Sequence, residues 1–228
     1  MMKTSITSTT ERRTQGLLRL ARTATVVLVA LASGFAAPGA RAMTESEAGA
    51  RAVVSETVDE VLAVLRDKSV PTEERIRSLE QIVYGRFDLY VMSRLVLARN
   101  WKRFSEEQKA EYVEEFKQYL TNSYGSRIER YDQQEVEIIG EREEPRGDVV
   151  IQTKILGGEF DGALVDYRLR KQDAGWRVID VVIEGISMVS NYRDQFKSIV
   201  STGGPQLLLE KLREKNAAGM VIDETSAK

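Results

Sequence analysis

Apolar residues recur every three or four positions through most of the first half of the chain. From Glu45 to Arg66 the positions Ala50, Val53, Val54, Thr57, Val58, Val61, Leu62 and Leu65 hold a 3.6-residue period, which predicts one long helix. Pro71 interrupts it. Thr72 to Val83 resumes the period through Ile76, Leu79, Ile82 and Val83, and a shorter segment, Asp88 to about Ala98, carries Leu89, Met92, Leu95 and Val96. Ser105-Glu106-Glu107-Gln108 has the spacing of a capping box, in which the Ser hydroxyl and the Gln side chain each satisfy a free backbone N–H. The helix it opens aligns Tyr112, Val113, Phe116, Tyr119, Leu120, Tyr124 and Ile128 on one stripe.

In the second half the period changes to two. Glu135–Gly140, Asp148–Leu156, Ala163–Lys171 and Gly175–Glu184 read as strands separated by turn residues. Ala163, Val165, Tyr167 and Leu169 alternate with Leu164, Asp166, Arg168 and Arg170, so one sheet face is dry and the other mostly wet. Two helices follow, about Ile186 to Val200 and Gln206 to Lys215, with Pro205 at a helix-opening position. Helices, then an antiparallel meander, then closing helices predict an α+β domain in which helices cover one face of a curved sheet. Such a cone-shaped interior is either filled by side chains or left open for a ligand.

The first 42 residues do not fit this pattern. Arg12, Arg13, Arg19 and Arg22 precede an uncharged apolar run from Thr23 to Ala37, and Ala40-Arg41-Ala42 has small residues at both recognition positions of a cleavage site. The segment 1–42 is therefore expected to be a secretory signal peptide cleaved near Ala42. It is followed by one domain over 43–216 and a flexible tail over 217–228. Removing six basic residues and one acidic residue leaves 27 basic against 34 acidic, a net charge near −7. That charge disfavours nucleic acid and anionic lipid surfaces as partners. With no His and no Cys in the chain, the usual ligands for zinc, copper and haem are missing, along with the commonest general base.

The remaining constellations have structural readings. Gly157-Gly158-Glu159-Phe160 is expected to be a tight hairpin, where glycines supply positive φ. Arg168, Arg170, Lys171 and Arg177 form a basic patch, read as a solvated face that could meet an acidic partner or a phosphate. Asp180 is in phase with Trp176, Val178 and Val182, hence expected to face inward as a hydrogen-bonded group or, in an enzyme, as a base. Tyr112, Tyr119, Tyr124, Tyr131, Tyr167 and Tyr192, mixed with Met92 and Met188, suit a cavity with a wet mouth. In the stretch Ile183–Phe196, Gly185 permits a sharp turn, and Ile186, Val189, Tyr192, Phe196 and Ile199 are expected to continue the apolar wall begun by Val178 and Val182.

The set Phe87-Asp88, Leu95-Val96-Leu97, Trp101, Ser105…Gln108, Phe116, Leu120, Tyr124, Tyr131, Gly175-Trp176, Asp180, Glu184-Gly185-Ile186-Ser187 and Tyr192-Arg193 resembles the MlaC-type periplasmic phospholipid carriers, the toluene-tolerance family. The likeness runs from about Val53 to Lys215. Ala98 stands where a Gly is usual, and Gly204-Pro205 replaces a Gly-aliphatic pair.

The resemblance implies helices on a sheet like that of nuclear transport factor 2, acyl chains held between them, and no catalytic residue. It further implies no cofactor beyond phospholipid as cargo, and shuttling that maintains outer-membrane lipid asymmetry. The implied partners are an inner-membrane ABC transporter complex with an MCE-domain protein and an outer-membrane lipoprotein–porin complex. The expected lining is Met92, Trp101, Phe116, Tyr119, Leu120, Tyr124, Val136, Ile138, Ile151, Ile155, Val165, Tyr167, Leu169, Val178, Ile186, Val189, Tyr192 and Phe196, around a cavity near the top of the 300–1,000 Å³ range typical of ligand pockets. The alternatives are a small exported isomerase of the ketosteroid-isomerase type with Asp180 as base, and a protein-binding periplasmic adaptor.

Overall fold

The computed structural model describes residues 43–125 and 133–219. The leader, Ile128, Tyr131 and the end of the chain after Gly219 lie outside the described residues. Helix α1 spans Glu45–Arg66, α2 Thr72–Arg86 and α3 Leu89–Leu97; a 3-10 segment, Ala98–Arg103, leads to α4, Glu106–Gly125. Strands β1 (Glu135–Glu143), β2 (Val149–Leu156), β3 (Leu164–Gln172) and β4 (Gly175–Ile183) precede a two-residue β5 (Ile186–Ser187) and α5 (Met188–Ala217). All five strands pair antiparallel in chain order.

Local chemistry accounts for most boundaries. Thr44 caps α1 reciprocally with Glu47: the Glu47 N–H donates to the Thr44 hydroxyl at 3.1 Å, and the Thr44 N–H donates to the Glu47 carboxylate at 2.8 Å. The expected box at α4 has the same form, with Ser105 N–H to Gln108 Oε1 at 3.1 Å and Gln108 N–H to Ser105 Oγ at 3.2 Å. Phe87-Asp88 bridges two elements. The Asp88 N–H donates to the Val178 carbonyl of β4 at 2.9 Å, while its carboxylate caps α3 through the Val91 N–H at 2.8 Å and accepts from Gln172.

The two closing helices stand as expected, meeting at a kink within α5, with Pro205 opening the second. Helix α5 is broken only at Gly204 (φ 73°, ψ −170°), just ahead of Pro205, which has no N–H to give. Arg103 donates to the Val200 carbonyl beside the break at 3.2 Å.

Two cores hold the molecule. The larger is helical and aromatic: Tyr112, Phe116 and Tyr119 of α4 meet Tyr192, Phe196 and Val200 of α5, with Leu208, Leu209 and Leu212 from beyond the break. The second lies between α1 and the sheet, where Ala50 and Val54 pack on Val149, Ile151, Leu169 and Val178.

On the sheet's other face two members of the expected basic patch share one carboxylate. Asp148, fully buried, accepts from Arg168 at 2.6 and 3.0 Å and from Arg170 at 2.7 and 2.8 Å. Burial pushes the Asp148 carboxyl up, but the two guanidiniums outweigh it and hold the group below the usual carboxylate range.

Ala98 carries strain. It follows α3 at φ 48°, ψ −120°, a conformation that suits glycine and crowds a Cβ. The turn is held by Arg193, whose guanidinium donates twice to the Leu95 carbonyl at 2.9 and 3.0 Å. Ala98→Gly is expected to relieve this strain and stabilise the fold by about 1 kcal/mol. For a domain of this size that raises the melting temperature by roughly 2–4 °C; a lower one would contradict the strain.

Candidate functional site

Helix α1 runs about 33 Å at 1.5 Å per residue, longer than its contact with the sheet. Its first half packs down through Ala50 and Val54; its second half carries Val61, Leu62 and Leu65 over a hollow. Helix α2 forms the next wall. Its only fully buried residue is Arg75, and its apolar stripe, Ile76, Leu79 and Val83, is half-buried because it faces that hollow rather than a packed neighbour. An amphipathic helix normally buries its stripe against another element.

The cavity measures about 510 Å³. Phe87, Leu89 and Met92 close one side, Leu120, Thr121 and Tyr124 of α4 another, and the sheet contributes Val136, Ile155, Val165, Tyr167, Val181 and Ile183. Gln134, Phe160 and Met188 complete it. Glu80 and Lys117 are the charged residues of the lining. Lys117 Nζ sits 4.0 Å above the Tyr84 ring, and the Tyr84 hydroxyl lies 3.4 Å from Thr121 Oγ1. Burial pushes the Tyr167 phenol up to about 12, so its hydroxyl stays neutral near pH 7. The volume falls in the middle of the ligand-pocket range, not near its top.

Of the expected lining, Met92, Leu120, Tyr124, Val136, Ile155, Val165 and Tyr167 face this cavity. The rest lie elsewhere, for three physical reasons. Phe116, Tyr119, Val189, Tyr192 and Phe196 are spent on the helical core, where Phe196 meets the rings of Tyr112, Phe116, Tyr119 and Tyr192 at 5.6–6.3 Å. Trp101 packs on the edge of that core against Tyr90 and Tyr112. Ile138, Ile151, Leu169 and Val178 belong to the dry sheet face, but to the end that α1 covers.

Ile186 is 65% exposed. Glu184 (φ 49°) and Gly185 (φ 80°) form a two-residue hairpin turn, so the chain reverses into β5 instead of running straight into a helix. The wall expected from Val178 through Phe196 is therefore not continuous. Of that stretch, Val181, Ile183 and Met188 reach the cavity.

A β-bulge decides the position of Asp180. Leu169 pairs with Val178 but Arg168 pairs with Asp180, leaving Ile179 as an extra residue. The parity of β4 inverts there: Val181 and Ile183 face the cavity, while Asp180 and Val182 face away. The Asp180 carboxylate accepts from the Ser187 hydroxyl at 2.6 Å and the Val189 N–H at 3.0 Å, holding the first turn of α5. Both oxygens are occupied, and neither lines the hollow, so the base required by the isomerase alternative is misplaced.

Periodicity does signal the missed wall. The stripe Ile76, Leu79, Val83 was legible, but its half-buried state was not. Phe160, in the Gly-Gly hairpin, had no signal beyond its hydrophobicity. Among the described residues no group of three or more His, Cys, Asp or Glu could hold a metal ion, and no helix is long and apolar enough to cross a membrane.

Comparison with known proteins follows the same outline. The chain is 26% identical to a phospholipid-binding protein from Ralstonia solanacearum solved in complex with a phospholipid, with a TM-score of 0.68 over 75% of this chain and 98% of that one. It is 24% identical over 106 residues to toluene tolerance protein ttg2D of Pseudomonas putida, a match covering 46% of this chain and 49% of that relative's length. The chain thus spans about half the length of that curated relative. The family profile described as MlaC protein matches residues 55–214, which takes in the second half of α1, all five strands and nearly all of α5, and this chain belongs to the MlaC family.

Proposed function

We propose that this protein is a non-enzymatic phospholipid carrier that shields an acyl chain in the cavity beneath α1 and α2. The observation that carries the reading is the half-buried apolar stripe of α2 facing a hollow with an almost wholly apolar wall. The Ralstonia protein supports it, since its likeness extends over nearly all of that phospholipid-bound chain.

The energetics are consistent with a carrier. Burying one CH₂ is worth about 0.8 kcal/mol, so a sixteen-carbon tail gains on the order of 13 kcal/mol on leaving water. A bilayer offers the same, and exchange between bilayer and carrier is close to neutral. At roughly 30 Å³ per methylene, about the share of one liquid water, the cavity takes about one long acyl chain. A second chain requires α1 and α2 to move outward from the sheet.

The further reading is that the protein is exported to the periplasm and shuttles lipid between an inner-membrane ABC transporter complex with an MCE-domain protein and an outer-membrane lipoprotein–porin complex, so maintaining outer-membrane lipid asymmetry. Direction would come from those partners, because the chain has no Gly-x-x-x-x-Gly-Lys-Ser/Thr loop of its own.

Organic extraction of the purified protein followed by mass spectrometry tests the carrier. Phospholipid at about one per chain is expected. An empty protein points to the adaptor, and a small polar metabolite to an enzyme; either ends this reading.

A further inference from the structure

The apolar cavity adjoins a second hollow of about 340 Å³, with Tyr84 and Lys117 on the walls of both. The second hollow is polar where the first is not. Asp88, Glu114, Gln172 and Arg177 face it. The charges differ in how firmly they are held. Asp88 is committed: one carboxylate oxygen accepts from the Val91 N–H at 2.8 Å and the other from Gln172. Lys117 is held loosely, 3.5 Å from Glu114 and 4.0 Å above the Tyr84 ring. Arg177 is half-buried on β4 opposite Arg170, and among the described residues no acidic side chain is hydrogen-bonded to it.

A half-buried guanidinium with no carboxylate hydrogen-bonded to it has lost part of its hydration with little return, which favours an anion arriving from outside. Arginine presents a planar fork that suits the oxygens of a phosphate. The neighbouring cavity takes an acyl chain, so one molecule that joins a chain to a phosphate would fill both hollows. The four charged walls, Lys117 and Arg177 against Asp88 and Glu114, sum to zero. A head group that itself sums to zero matches them better than one that is only negative.

We infer that this second hollow seats a zwitterionic phosphodiester head group of the phosphoethanolamine type, its phosphate on Arg177 and Lys117 and its ammonium on Glu114. The inference rests on the acyl-chain reading of the larger cavity.

The test equilibrates the purified protein with vesicles of equal phosphatidylethanolamine and phosphatidylglycerol with matched chains, then measures bound lipid by mass spectrometry. The wild-type protein is expected to enrich phosphatidylethanolamine about three- to fivefold, the scale of one partly exposed charge pair. Arg177→Gln is expected to lower the loading of both lipids about three- to fivefold, because both carry the phosphate, without lowering that ratio, with Arg177→Lys restoring part of the loading. Glu114→Gln is expected to remove the preference by admitting phosphatidylglycerol. Thermal melting confirms that each variant is folded. Equal loading of the two lipids by the wild-type protein, or an unchanged total loading in Arg177→Gln, overturns the head-group seat while leaving the acyl cavity standing. A wild-type protein that takes up neither lipid overturns the acyl reading and this inference together.

Discussion

Val165→Glu is expected to yield a folded protein that carries no phospholipid. Val165 projects from β3 into the cavity, paired with Ile183 on one side and Thr153 on the other. In the empty protein a glutamate there can be hydrated by water in the hollow, so folding survives. With a tail bound it cannot, and burying an unpaired carboxylate against hydrocarbon costs several kcal/mol. At 1.4 kcal/mol per tenfold, binding weakens by at least about a hundredfold. The measurement is the lipid-to-protein ratio after extraction, with Val165→Leu as the apolar control that keeps its cargo. A glutamate variant loaded like the wild type would mean that the tail lies elsewhere.

Phe196→Ala is expected to do the reverse. Phe196 is fully buried among the rings of Tyr112, Phe116, Tyr119 and Tyr192, and none of these five lines the cavity. Truncation removes the buried ring and leaves a void that its neighbours fill only in part, at about 3–5 kcal/mol. The melting temperature should fall by on the order of 10 °C, while the lipid ratio stays near that of the wild type below the transition. A variant that melts normally but loses lipid would restore Phe196 to the lining and remove it from the core.

Phe196 also shows where sequence reading stopped. The helix Glu45–Arg66, the Ser105–Gln108 cap and the four long strands were legible because capping groups, turn residues and periodicity are local properties. The α+β class followed from their order. The lining followed only in part, because an apolar residue that packs in a core and one that faces a hollow obey the same period. Which of the two it does depends on what stands opposite, and that is set by tertiary structure. Parity in β4 failed for a sharper reason. The extra residue Ile179 shifts every later side chain to the other face, and nothing in Trp176–Val182 marks it. The resemblance to a known family gave the right class of fold, yet it did not separate Leu79, which faces the cavity, from Tyr192, which does not.

The two cores also bear on how such a protein can diverge. Side chains of α2 above the hollow touch few partners, so their size can drift over generations without threatening the fold. Those of the aromatic cluster have no such freedom. Capacity for cargo and the ability to stay folded are thereby inherited through different residues, and a lineage can widen or narrow its hold while its frame goes untouched.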